Sequence, residues 1–153
     1  MAIKLITGGT VVNATHCSKS EVLIEGEKII ALIDPNSGLL DVADAWDYEL
    51  IDATGKYVIP GGVDAHVHLQ LPMTPEATSS DTFESGTQAA AWGGTTTIID
   101  FAGQIKGTAV PEALESRLEE AEGQCAIDYS LHLSIGDVNK QSLIDISGLV
   151  ESG

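Results

Sequence analysis

Pro60-Gly61-Gly62-Val63-Asp64-Ala65-His66-Val67-His68 is the stretch on which the reading of this chain turns. Apolar residues alternate with Asp64, His66 and His68. A period of two is the pattern of a β-strand, in which every second side chain faces the same way. Val63 to His68 is therefore expected to be a strand, with both imidazoles on one face and Asp64 beside them. Two neutral imidazoles on one face make half of a transition-metal site. Pro60-Gly61-Gly62 gives the strand a tight entry. The pair stands where an apolar strand ends, and sites in parallel sheets form at the carboxyl ends of strands. Asp64 is placed to orient an imidazole or a hydrolytic water. Catalytic zinc usually takes three protein ligands plus water, so the pair needs ligands from elsewhere.

Downstream of the histidines the pattern alternates between helix and strand. Asp81 is a candidate helix cap, with Glu84 completing a capping-box-like pair. Phe83, Thr87, Ala90 and Ala91 form a stripe at helical spacing, and Gly93-Gly94 stops it. Thr95-Thr96-Thr97-Ile98-Ile99-Asp100-Phe101 is a β-branched run and reads as a buried strand. Pro111 opens a second helix with Leu114, Leu118 and Ala121 on one face and Gly123 after it. Ala126 to Leu133 reads as a third strand, and Asn139 to Glu151 as a third helix weakened by Gly148. Threefold alternation of strand and helix predicts a parallel α/β sheet.

Upstream, residues 1–57 read as short strands and turns. Ile3 to Ile6 and Val11 to Val12 flank Gly8-Gly9. Val22 to Ile24 and Lys28 to Ile33 flank Glu25-Gly26-Glu27, a hairpin signal. Asp34-Pro35-Asn36-Ser37-Gly38 is a loop by composition. Asp41 to Glu49 reads as a solvated acidic connection whose Trp46 and Tyr48 cover a core edge. Ile51 to Tyr57 reads as one more strand and turn. Five or six short strands suggest a small β-sandwich or partial barrel. The expected organisation is 1–57 as N-terminal strands of that small domain and 58–153 as three βα units.

Composition limits the function classes. The chain has 153 residues, 43% hydrophobic and 20% charged, which is a globular and not a disordered composition. Its 23 acidic and 7 basic residues give a net charge of -16. That field repels phosphate backbones and anionic membrane surfaces, so neither nucleic acid nor membrane is an expected partner. The start lacks the apolar core of a signal peptide, and Cys17 and Cys125 form no CxxC pair. The expectation is a cytoplasmic protein with reduced thiols.

Other candidates carry two readings each. Asp100, at the end of the second strand, can act behind the metal ligands or serve as a helix cap or loop residue. His132 shares a face with Asp128 and Ser130, and is either a third ligand or a hydrogen-bonded strand-end histidine. His16 lies in a polar loop and is expected to be exposed. Gly93-Gly94 before Thr95-Thr96-Thr97 is not a phosphate loop, since it lacks the lysine and precedes a strand instead of opening a helix. Glu115, Glu119, Glu120 and Glu122 read as a solvated helix face.

At this point the residues carry a family resemblance. Pro60 to His68 resembles the first metal-binding motif of the amidohydrolase superfamily. Phe83-Glu84-Ser85-Gly86-Thr87, followed by Ala89-Ala90-Ala91-Trp92-Gly93-Gly94-Thr95-Thr96-Thr97-Ile98-Ile99-Asp100-Phe101, narrows this to the hydantoinase and dihydropyrimidinase family. His68-Leu69-Gln70-Leu71-Pro72 and Asp128-Tyr129-Ser130-Leu131-His132 fit the same group. Dihydroorotases and allantoinases share the HxH and the GG-T-T element but run on into a different sequence where this chain has Ile98-Ile99-Asp100-Phe101.

The resemblance implies the first part of a TIM-like (β/α)8 barrel, preceded by part of a small β-sandwich. An eight-stranded barrel needs about 250 residues, so the chain is expected to be the N-terminal portion of a longer one. A binuclear metal site, usually zinc, is implied, with His66 and His68 as ligands and Asp64 and Asp100 behind them. The family's bridging carbamylated lysine, two further histidines and catalytic aspartate are expected beyond Gly153, so no catalytic residue is assigned within the chain. In the implied reaction a metal-bridged hydroxide opens the ring C–N bond of a cyclic amide or imide, giving an N-carbamoyl amino acid. Non-enzymatic relatives in this family generally lose metal ligands, so retention of both histidines argues for the catalytic branch. A homo-oligomer, or pairing with a complementary remainder of the barrel, is expected. The chain by itself is expected to be inactive. The alternatives are a non-catalytic assembly fragment or one half of a split enzyme.

Overall fold

The computed structural model describes residues 3–39, 47–74 and 76–152. The chain divides into two compact units, Met1–Pro60 and Gly61–Gly153.

The first unit is all β. Its strands are β1 (Ile3–Thr7), β2 (Thr10–Val12), β3 (Cys17–Lys19), β4 (Glu21–Glu25), β5 (Lys28–Ile33), β6 (Tyr48–Asp52) and β7 (Tyr57–Val58). They form one sheet of order β5-β4-β1-β6 and another of order β3-β2-β7. The Glu25-Gly26-Glu27 turn joins antiparallel β4 and β5 as expected. Leu5 faces Leu23 across the β1/β4 ladder, and with Ile33 they make the buried cluster of this unit. Asp52 closes the turn after β6. Hydrogen bonds from the hydroxyl and backbone N–H of Thr54 hold its carboxyl below the ordinary carboxylate value.

Two expectations for this unit need correction. Among the described residues there are seven strands instead of five or six, because Cys17-Ser18-Lys19 pairs with β2 through its backbone while offering no hydrophobic alternation to read. β6 begins at Tyr48, inside the stretch read as a connection, and Tyr48 packs on the Leu5 cluster. Residues 41–46 of that stretch, Trp46 among them, lie outside the described residues.

The second unit contains β8 (Gly62–Asp64), β9 (Pro72–Thr74), β10 (Ala77–Thr78), α1 (Phe83–Trp92), β11 (Thr95–Gly103), α2 (Val110–Ala121), β12 (Asp128–Ser134) and α3 (Lys140–Ser152). β8, β11 and β12 form a parallel sheet of order β12-β11-β8, as the threefold alternation predicts. The small antiparallel pair β9/β10 was not expected. The core gathers Leu69, Phe83, Ile98 and Ala121, with Val67, Ala90, Cys125, Ile127 and Tyr129 packed against them.

The structure corrects the first expectation of all. The strand expected over Val63 to His68 stops at Asp64. The backbone N–H of His66 turns to the Asp64 carboxylate at 3.2 Å, and that of Leu69 to the Asp100 carboxylate at 3.0 Å. Val67 N–H still donates to Ile99 O of β11, at 3.2 Å. The ladder is lost, yet the alternation survives. Val67 and Leu69 pack into the core while His66 and His68 stay exposed on the other side.

Helix boundaries shift by one position. The cap of α1 is Thr82, not Asp81, and its box partner is Ser85, not Glu84. Thr82 has the extended backbone a cap needs, and its hydroxyl accepts the Ser85 N–H at 3.1 Å. Asp81 instead accepts the Ser85 hydroxyl. Phe83 and Thr87 are buried as the stripe predicts, but Ala91 is exposed. In α2 the buried face is Val110, Arg117 and Ala121, and Leu118 is 42% exposed. Among the described residues no helix is long and apolar enough to cross a membrane.

Gly61, directly ahead of β8, has a steric reason. A Cβ on Gly61 would lie 2.1 Å from Oγ1 and 2.7 Å from Cβ of Thr96, so rotating the threonine cannot relieve the clash. Gly61→Ala is expected to destabilise the second unit by about 1–3 kcal/mol, the range for overpacking. Urea unfolding checks this; an unchanged midpoint would show that β8 and β11 can move apart freely.

Candidate metal centre

Parallel pairing brings the carboxyl ends of β8, β11 and β12 to one side. The register places Phe101 beside His132, and His66 and His68 follow directly after β8. Phe101 sits among the rings of His66, His68 and His132. Its centroid lies 4.6 Å from that of His66, 4.9 Å from that of His68 and 5.0 Å from that of His132. The His66 and His68 rings stand edge to face, 90° apart.

The Nε2 atoms of His66 and His68 are 3.2 Å apart. Two nitrogens bound at about 2.0–2.1 Å to one tetrahedral ion lie about 3.3–3.4 Å apart, so the pair is close to the spacing such an ion needs. Without an ion, one Nε2–H can donate to the other ring's Nε2. Both imidazoles are exposed, so the lone pairs are open to a ligand. The donor set therefore fits half of a site for a borderline cation. Among the described residues no group of three or more His, Cys, Asp or Glu is placed to hold a metal.

Each other candidate has a definite place. Asp64 bonds the backbone of His66 and neither ring. His132 has its Nε2 3.0 Å from the carbonyl of Ala65, so of its two readings the geometry shows the hydrogen-bonded strand-end histidine. His16 is exposed in its turn. Glu115, Glu119 and Glu120 are exposed along α2, and Glu122 is exposed just after it.

Asp100 is fully buried and is neither a cap nor a loop residue. Its Oδ2 accepts the Leu69 N–H and pairs with Nη2 of Arg117, both at 3.0 Å. Arg117 Nη2 also donates to the Leu69 carbonyl, and Nη1 to Oε2 of Glu120 at 2.5 Å. The guanidinium lies over the Phe83 ring, 4.5 Å from its centroid. Cys125 is half-buried nearby, and burial, followed by the charge of Asp100, raises its thiol pKa. Sequence reading missed Arg117. The signal was there: it is the only arginine in the chain, and it shares a helical face with Val110 and Ala121 at i, i+7 and i+11.

Comparison with known proteins bears on this site. The sequence model of the Amidohydrolase family matches residues 57–141. The chain is 47% identical over 150 residues to a D-hydantoinase of Streptomyces coelicolor, covering 97% of this chain and 31% of that protein. It is 45% identical over 148 residues to a D-hydantoinase of Geobacillus stearothermophilus, covering 97% of this chain and 30% of the relative. The crystal structure of dihydropyrimidinase from Brevibacillus agri matches with a TM-score of 0.88 at 41% identity, over 97% of this chain and 30% of that one. The chain thus spans under a third of the length of these relatives.

Proposed function

The chain belongs to the amidohydrolase family, a metal-dependent group, and from that premise we propose that it forms part of a hydrolase acting on the ring C–N bond of cyclic amides or imides such as dihydropyrimidines and hydantoins. The product is an N-carbamoyl amino acid. The observation that carries the reading is the pair of imidazole Nε2 atoms converging to 3.2 Å where β8 ends. The names of the relatives support the substrate class.

In this reading the three βα units belong to a (β/α)8 barrel, with 1–57 contributing strands to a small β domain. His66 and His68 hold one metal, zinc by preference, through their Nε2 lone pairs. When bound, the cation supplies Lewis acidity toward a water and toward the ring carbonyl. Phe101 fixes the mutual angle of the two rings and keeps water from one side of them. Asp64 holds the backbone of His66, which limits how far its ring can swing. Neither Asp64 nor Asp100 touches substrate, and no proton is assigned to either. Cytoplasmic residence and self-association belong to the same proposal.

Two measurements test it. Calorimetric titration of the chain with Zn²⁺ should show one site, and His66→Ala or His68→Ala should each weaken it beyond the ~10–100-fold typical of residues behind a ligand. A chimera should also be made in which this chain replaces the corresponding segment of the Streptomyces coelicolor D-hydantoinase. It is expected to open hydantoin rings, with activity lost on His66→Ala. A folded, metal-loaded chimera without ring-opening activity would overturn the proposal. The 153-residue chain alone is expected to show no enzyme-like turnover, because its described residues bring together two ligands where catalytic zinc generally takes three.

A further inference from the structure

We propose that Asp100 and Arg117 are a positioning pair for the two histidines, acting through the peptide groups of Leu69. The proposal rests on His66 and His68 being metal ligands, and it adds what keeps them in place.

The chain leaves the ladder after Asp64, and from there to Leu69 the backbone keeps one strand-like bond, from Val67 N–H to Ile99 O. His68 therefore lies between two anchors. Val67 is the first. Leu69 is the second, and both its N–H and its carbonyl are bonded to buried side chains instead of a neighbouring strand. The N–H goes to Asp100 and the carbonyl to Arg117, and the two side chains are themselves paired at 3.0 Å. One salt bridge thus grips the residue after the second ligand at both its polar groups.

Adjacent residues of β11 hold the histidine segment from opposite faces. Phe101 packs on the imidazoles, and Asp100, one residue earlier on the buried side, holds the backbone beneath them. A guanidinium suits this task because its fixed fork reaches a carboxylate, a carbonyl and Glu120 at once, which an ammonium cannot do. A buried ion pair is weak evidence for stability, since well-packed apolar residues often serve a core as well. Here each member places one bond on the Leu69 peptide groups, next to His68, and that placement points to control of the ring pair.

The test uses the full 153-residue chain with Asp100→Asn and Arg117→Lys. Asparagine keeps the size and one acceptor, and lysine keeps the charge but not the fork. Two quantities are read well below each variant's melting temperature. One is Zn²⁺ affinity by calorimetry. The other, in the metal-free chain, is the chemical shift of the His66 and His68 Hε1 protons, which the Phe101 ring current perturbs. Both variants are expected to bind zinc about 10–100-fold more weakly and to show displaced Hε1 resonances. Thr87→Val removes a buried hydroxyl that accepts the Ala126 N–H at 2.9 Å, away from the histidines. It should lower the melting temperature and move neither readout. Folded Asn and Lys variants with unchanged affinity and unshifted resonances would overturn the positioning pair. If the parent chain itself failed to bind zinc, the metal reading would fall, while the Hε1 shifts would still decide whether the pair sets the rings. If Asp100→Asn did not fold, Arg117→Lys would decide alone.

Discussion

Alanine at Asp100 is expected to destabilise the 61–153 unit by about 3–5 kcal/mol, the range for breaking a buried ion pair by removing one partner. The carboxylate has no exposed surface, and the Arg117 side chain is 7% exposed. Without Asp100 the guanidinium keeps Glu120 and the Leu69 carbonyl but loses its buried counter-charge, and the Leu69 N–H loses its acceptor. Water cannot easily replace either in a space that closed. For a unit of this size the loss corresponds to a fall in Tm of about 12 °C or more. Asp100→Leu combined with Arg117→Met should recover part of it, because no charge is then left buried. Recovery stays incomplete, since both polar groups of Leu69 remain without partners at a cost of about 1–3 kcal/mol each. Urea unfolding followed by circular dichroism measures all three proteins. A loss under 1 kcal/mol for Asp100→Ala would mean that the pair is solvated in solution.

Alanine at Phe83 is expected to cost a similar amount, about 3–5 kcal/mol. Phe83 is fully buried at the start of α1 and belongs to the cluster with Leu69, Ile98 and Ala121. Its ring also faces Tyr129, at 6.5 Å between centroids, and lies under the Arg117 guanidinium. Alanine has the better helix propensity, but that gain is below about 0.7 kcal/mol and cannot offset the cavity. Phe83→Leu should cost less, because most of the volume remains. A double-mutant cycle with Arg117→Met should show a coupling of about 0.5–2 kcal/mol, the part owed to the cation over the ring face. An unfolding curve for Phe83→Ala within about 1 kcal/mol of the parent would show that α1 does not depend on this contact.

Periodic elements were legible because their signal is local. The β-branched run at Thr95 to Phe101 is the central strand β11, and the helices fall where the apolar spacing puts them. Elements without side-chain periodicity escaped. β3 and the β9/β10 pair exist because a neighbouring backbone offers hydrogen bonds, which leaves no mark on residue type. The facing of α2 was read only in part for a related reason: Ala121 is buried as expected, but Leu118 is 42% exposed. Leu114 and Leu118 look like its buried stripe, yet Arg117 is the residue inside, because Asp100 supplies a charge for it to meet. A sequence rule that keeps charges outside cannot anticipate a partner 17 residues away.

The candidate site divides in the same way. Residue order alone determined that His66 and His68 share a side, since alternation along an extended chain needs no neighbour, and that Phe101 lies in a strand, which runs on to Gly103. It determined the family as well, because Pro60 to His68 and Phe83 to Phe101 are contiguous signatures. Only the tertiary structure decided that the strand stops at Asp64, that the two Nε2 atoms converge to 3.2 Å, that His132 turns to a carbonyl, and that Asp100 and Arg117 close on Leu69. The physical reason is range. Alternation and capping act between residues a few positions apart, whereas ring convergence and charge burial depend on groups that only the packing of β8, β11 and α2 brings together.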